Sequence, residues 1–190
     1  MFNQRLAKIQ AVIAAEVCAR FDVGEKVRPL LRDGINPREF LETLVANKQY
    51  AAGIDFMAHA LPAREAVWWG CLCLQHACGD NLPAPDKEAA RAAVQWVMRP
   101  TEQNRAAAKA PAEAAKAPSP AGALAMAVSL TGGSLGPPNL PVIPPPSFAW
   151  AGYVATAVKF AAIKVEAARI AETQRLFVEL GIGLAEGRYT

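Results

Sequence analysis

The chain has 190 residues, 53% of them apolar and 19% charged, with a formal net charge of +3. That is enough for one domain with a real core and too apolar for a disordered chain. Lys and Arg are interspersed with acids in the manner of a solvated surface, which argues against nucleic acid as a partner.

Alanine dominates the apolar content and aromatics are only 7%, so buried faces must come from closely approaching helices. The four cysteines, Cys18, Cys71, Cys73 and Cys78, form no spaced disulfide framework and suit the reduced thiols of a cytoplasm. Arg5 and Lys8 precede an apolar run, Ile9 to Ala15, but Glu16 ends it early, so mature structure is expected there rather than a leader. No window is both long and charge-free enough, without helix breakers, for a membrane-spanning helix.

The first predicted helices cover Gln4–Phe21 and Glu25–Leu31. Asn36 can cap the next, with Pro37 at its first position and Glu39 three residues after the cap, so a helix over 37–47 follows. A second runs over about 48–60, a third from Pro62 to about His76 with Gly79 as its stop, and a fourth from Pro85 to Met98 before Pro100. Short connections make such helices antiparallel neighbours, which predicts helical hairpins in a bundle or short array over residues 1–100.

Residues 101–120 differ. They are rich in Ala and Lys with no large apolar residue, which predicts an exposed helix or tether broken near Pro111. From Ala117 to Val158 there is no charged residue at all, and eight of the 15 prolines fall there. A buried helix is expected over about 120–130. Residues 131–146, with Gly132, Gly133 and Gly136 among the prolines, can be neither regular helix nor central strand. After Ser147 a single long helix to about Glu186 is predicted. Val154, Val158, Ala161, Val165 and Ala168 form its packed line within roughly 40°, and Glu166, Arg169, Glu172, Arg175 and Glu179 its wet side. Residues 121–190 are thus expected to pack on the bundle as one all-α domain, with helix exceeding about 60% of residues against the usual third.

Catalytic motifs are missing. There is no G-x-S-x-G, P-loop or H-E-x-x-H, and Gly132-Gly133 leads into prolines rather than into the helix a phosphate site needs. Cys71, Cys73, His76 and Cys78 are the densest reactive set. On one helix Cys71 and Cys78 project within about 20° of each other, while Cys73 and His76 point elsewhere, so this helix alone cannot close a metal site. His59 has Asp55 one turn before it. An enzyme or metal-dependent protein using His59, His76 and the thiols is therefore the alternative, with no metal or cofactor expected under the leading reading.

That leading reading is a non-enzymatic protein-binding module, adaptor or chaperone-like. Its expected contact residues are Trp68, Trp69, Leu135, Leu140, Val142, Ile143, Phe148 and Trp150, because contiguous apolar surface marks contact and aromatic side chains serve as anchors. Another protein is the expected partner and self-association stays open, whereas the prolines argue against peripheral membrane binding by 117–158.

The stretches Leu61-Pro62-Ala63-Arg64-Glu65-Ala66-Val67-Trp68-Trp69 and Ser129-Leu130-Thr131-Gly132-Gly133-Ser134-Leu135, the latter running on to Pro144-Pro145-Pro146, resemble an uncharacterised family of small helical bacterial proteins associated with type VI secretion gene neighbourhoods. The resemblance carries no catalytic residues. It implies a bacterial cytoplasm and a role in loading a secreted component.

Overall fold

A computed structural model describes residues 6–115, 118–136 and 140–189. Helix, with the 3-10 turns included, makes up 64% of the described residues, and no strand occurs among them. The helices are α1 (Ala14–Cys18), α2 (Pro37–Ala46), α3 (Tyr50–Ala60), α4 (Ala63–Cys78), α5 (Ala84–Met98), α6 (Glu102–Ala107), α7 (Lys109–Ala114), α8 (Pro120–Ser129), α9 (Ala149–Ala162) and α10 (Ile170–Ala185).

Local chemistry sets many of these limits. Asn36 Oδ1 accepts the Glu39 amide at 3.0 Å and starts α2. The Thr101 hydroxyl accepts the Asn104 amide at 3.2 Å to start α6, and Ser119 accepts the Gly122 amide at 2.9 Å to start α8. Each such cap satisfies an otherwise orphaned donor and is worth about 1 kcal/mol. Gly79, at φ +51°, closes α4.

The N-terminal region departs from expectation. The predicted start at Gln4 lies outside the described residues, and helix forms only over Ala14–Cys18. Residues 6–12 instead lie across the bundle. Leu6 and Ile9 are buried, and the Lys8 amide donates to the Ala185 carbonyl at 3.0 Å. Glu25–Leu31 shrinks to a 3-10 turn at Arg28–Leu30, because Pro29 removes a donor that an α-helix would need there.

The expected stacking of sequential hairpins is only partly realised. α3 and α4 meet near their junction, and the face of each is covered mainly by the C-terminal helices: α9 packs on α3, α4 and α8, and α10 on α3 and α4. One core cluster runs from Leu6 to Ala185, so residues 1–100 complete their core only with α8–α10 in place. Phe40 meets Phe56 edge-on at 5.0 Å, and fully buried Trp69 donates its Nε1–H to the Phe177 carbonyl at 2.8 Å, tying α4 to α10.

Of the two alternatives for residues 101–115, helix or tether, the structure has helix, exposed along most of its length. α6 and α7 pack on α5 and α8 through buried Ala108 and Ala115, and Pro111 sits in the first turn of α7, where its missing donor costs nothing. The single helix expected after Ser147 is two. The turn over 163–169 has no Gly or Pro to cause it, and the reason is size. A straight helix of that length would extend about 57 Å, beyond the roughly 40 Å that a compact domain of this size spans. Folding back lets Phe177 and Leu184 enter the core. Val154, Val158 and Ala161 are buried as expected, whereas Ala168 is exposed. The five charged residues face water, with Arg175 and Glu179 paired at 2.8 Å.

Candidate functional site: the charge-free loop

Helix α8 ends at Ser129, and the chain enters the loop through Thr131, whose hydroxyl donates to the Val128 carbonyl at 2.8 Å. Gly133 follows at φ +72°, and the guanidinium of Arg105, reaching from α6, occupies the space where a side chain at 133 would go. Arg105 also donates to the Ser129 carbonyl and holds Glu102 in a two-pronged pair at 2.6 and 2.7 Å. That pairing lowers the Glu102 pKa and raises that of Arg105. The glycine turn therefore receives a cation from its own chain and is not an anion cradle.

Ser134 then stitches the loop. Its hydroxyl oxygen accepts the Gly136 and Ile143 amides, each at 3.1 Å, while the Leu135 amide donates to the Ile143 carbonyl at 2.8 Å. The outgoing and returning limbs are held together by main-chain polar groups, and their apolar side chains are left outside. Leu135 is 49% exposed, Leu140 58%, Val142 73% and Ile143 54%.

The loop returns at Phe148, which adopts a left-handed conformation (φ 59°) to start α9. The Arg20 guanidinium stacks over its ring at 4.6 Å and donates to the His59 carbonyl at 2.7 Å, and Trp150 lies 6.3 Å from Phe148, ring to ring. Phe148 and Trp150 are half-buried, so they form the root of the loop rather than its exposed edge.

The tryptophan pair separates. Trp69 is fully buried, so its place among the contact residues is corrected: it is a core residue whose indole N–H is already satisfied. Trp68 is half-buried in a cleft of about 340 Å³ with Lys8, Arg64, Glu65, Val97, Met98 and Tyr189, none of them from the loop.

The reactive residues also separate. His59 is buried, stacked on Phe21 at 4.6 Å, and its Nδ1 lies 2.8 Å from the Asp55 carbonyl, which as an acceptor requires the proton on that nitrogen. Burial lowers its pKa, and Asp55 is itself paired with Lys159 at 2.7 Å. His76 is exposed, edge-on to Phe177, in a cleft with Arg169, Glu172 and Arg175. Burial pushes the Cys18 thiol up to about 11 and Cys71 to about 12, and raises Cys73 well above the usual thiol value, which suppresses the nucleophilic thiolate. No three of His, Cys, Asp and Glu gather as a metal-holding group among the described residues.

Over residues 40–185, well over half the chain, the sequence matches the model of the Family of unknown function (DUF6931). The chain belongs to that family. No curated protein and no solved structure matches it. The DUF6931 span opens inside α2 and closes at the last residue of α10, so it contains the loop together with every helix that roots it. Three residues hold the loop in shape, Arg105 and Ser134 inside the matched span and Arg20 ahead of it, and none of them was anticipated from sequence. Sequence alone rejects the Gly132-Gly133 pair as a phosphate site and says no more; that a guanidinium fills the turn is set by tertiary packing.

Proposed function

We propose that this protein is a non-enzymatic, protein-binding module of adaptor or chaperone-like type, acting in a bacterial cytoplasm through the loop 131–146. One observation carries the reading: Leu135, Leu140, Val142 and Ile143 stay exposed together on a charge-free loop whose backbone is stitched in place. Burying such side chains returns about 25 cal/mol per Å² of apolar surface, and a loop already held in shape loses less freedom on docking. The resemblance to proteins of type VI secretion neighbourhoods supports a secreted component as the kind of partner. Among the described residues no helix is long and apolar enough to cross a membrane.

The test replaces residues 140–146 with a Gly/Ser segment of equal length and compares both chains in thermal melts and in affinity capture from the native cell. Lost capture at an unchanged melting temperature is the expected result. A fall of many degrees in melting temperature would instead show that the segment serves the fold, and capture that survives the replacement would sink the proposal.

A further inference from the structure

The segment 140–146, Leu-Pro-Val-Ile-Pro-Pro-Pro, has its backbone conformation dictated almost residue by residue. Pro141, Pro144, Pro145 and Pro146 carry a φ locked near −65°, and Leu140, Ile143, Pro144 and Pro145 each precede a proline, which disfavours the helical region. Only Val142 is neither proline nor followed by one, and regular helix and strand are absent over 141–146. These restraints together specify polyproline II, a left-handed helix with three residues per turn.

Threefold periodicity then sorts the side chains. Pro141 and Pro144 share one edge; Leu140, Ile143 and Pro146 share the second; Val142 and Pro145 share the third. The second edge is tied to the protein through Ile143, whose N–H and C=O are both bonded to residues 134 and 135. Pro141 and Pro144 remain exposed, and Val142 beside them is 73% exposed.

We infer that residues 140–146 are a pre-formed polyproline II ligand, docking into a partner protein whose groove is lined by aromatic side chains and hydrogen-bond donors. This rests on the protein-binding reading above and names the chemistry of its partner. Aromatic grooves read such segments by packing rings against paired prolines and donating to the carbonyls between them. An added β-strand is disfavoured because four of the seven residues have no N–H and that of Ile143 is already spent, so an edge strand would meet few donors. Recognition by basic or acidic pockets is disfavoured because no charge lies between Ala117 and Val158.

The experiment immobilises the full chain, the double variant P141A/P144A and the Gly/Ser replacement of 140–146, and exposes each to extract of the native cell. Poly-L-proline peptide is the competing probe. The expected partner binds the parent, elutes with poly-L-proline but not with about 1 M salt, which screens charge rather than packing, and binds P141A/P144A at least about tenfold more weakly, the loss of one ordinary interface anchor. Its tryptophan emission should shift on titration with a synthetic peptide spanning 135–147. Capture lost with the Gly/Ser segment yet indifferent to P141A/P144A and to poly-L-proline overturns the polyproline inference and leaves the binding reading standing. Capture that survives the replacement, or no capture by the parent, overturns both. Co-sedimentation of the parent, but not of the Gly/Ser chain, with phosphatidylcholine vesicles would assign the segment to a membrane and overturns both as well.

Discussion

Gly70 lies in the interior of α4, where glycine costs about 1 kcal/mol relative to alanine through backbone entropy. On local grounds alone, Gly70→Ala should stabilise the protein. The tertiary structure reverses that sign: a Cβ at 70 would fall closer than 3.0 Å to Leu124 Cδ2 on α8. Leu124 is fully buried, so it can give way only by pressing on the side chains packed around it. Overpacking of this kind costs about 1–3 kcal/mol, so the net effect is a loss of roughly 1 kcal/mol. For a domain of this size that lowers the melting temperature by about 2–4 °C. Leu124→Ala alone should cost about 2–5 kcal/mol by opening a cavity. In the double variant the new methyl at 70 occupies part of that cavity, so the two changes should couple favourably by about 1 kcal/mol or more. Urea unfolding followed by helical circular dichroism measures all three, with an unchanged m-value as the check that compactness is unaltered. A Gly70→Ala chain as stable as the parent, or a strictly additive double variant, would refute the close-approach argument.

Gly133→Ala should cost about 1–2 kcal/mol from its left-handed backbone, with a further loss from displacing Arg105; denaturant midpoints should show it, and an unchanged midpoint would contradict the guanidinium-filled turn. Burial lowers the His59 pKa, so the unfolded chain takes up a proton near pH 6.5 that the folded chain still refuses. The stability tied to neutral His59 is therefore present above about pH 6.5 and is lost as pH falls from there through the lower folded-state value. His59→Gln should flatten that part of a stability profile measured between about pH 7.5 and 5.5, and an unaltered slope would count against it. Thiol labelling with a water-soluble reagent at pH 8 should modify half-buried Cys78 first, leaving Cys18, Cys71 and Cys73 protected until the protein unfolds; early labelling of Cys71 would show that its burial is overstated.

Where local chemistry acts alone, the sequence was sufficient. Asn36 with Glu39, Gly79, the charge-free stretch of α8 and the wet charged side of α10 lead directly to elements found in the fold, because capping and apolar patterning operate over a few residues. The Pro-rich loop was legible for the same reason, since proline restricts its own φ and the conformation of the residue before it. Which of its side chains remain outside was not legible, because that depends on Ser134 pairing two limbs nine residues apart. Trp68 and Trp69 illustrate the same limit: helical geometry says they diverge, and only the arrival of α10, bringing the Phe177 carbonyl, decides that Trp69 is the one inside. The turn between α9 and α10 leaves no local mark, because nothing in residues 163–169 forbids helix. The chain folds back there because the core of α3 and α4 is complete only when Phe177 and Leu184 reach it, and that requirement belongs to the packed molecule rather than to any stretch of its sequence.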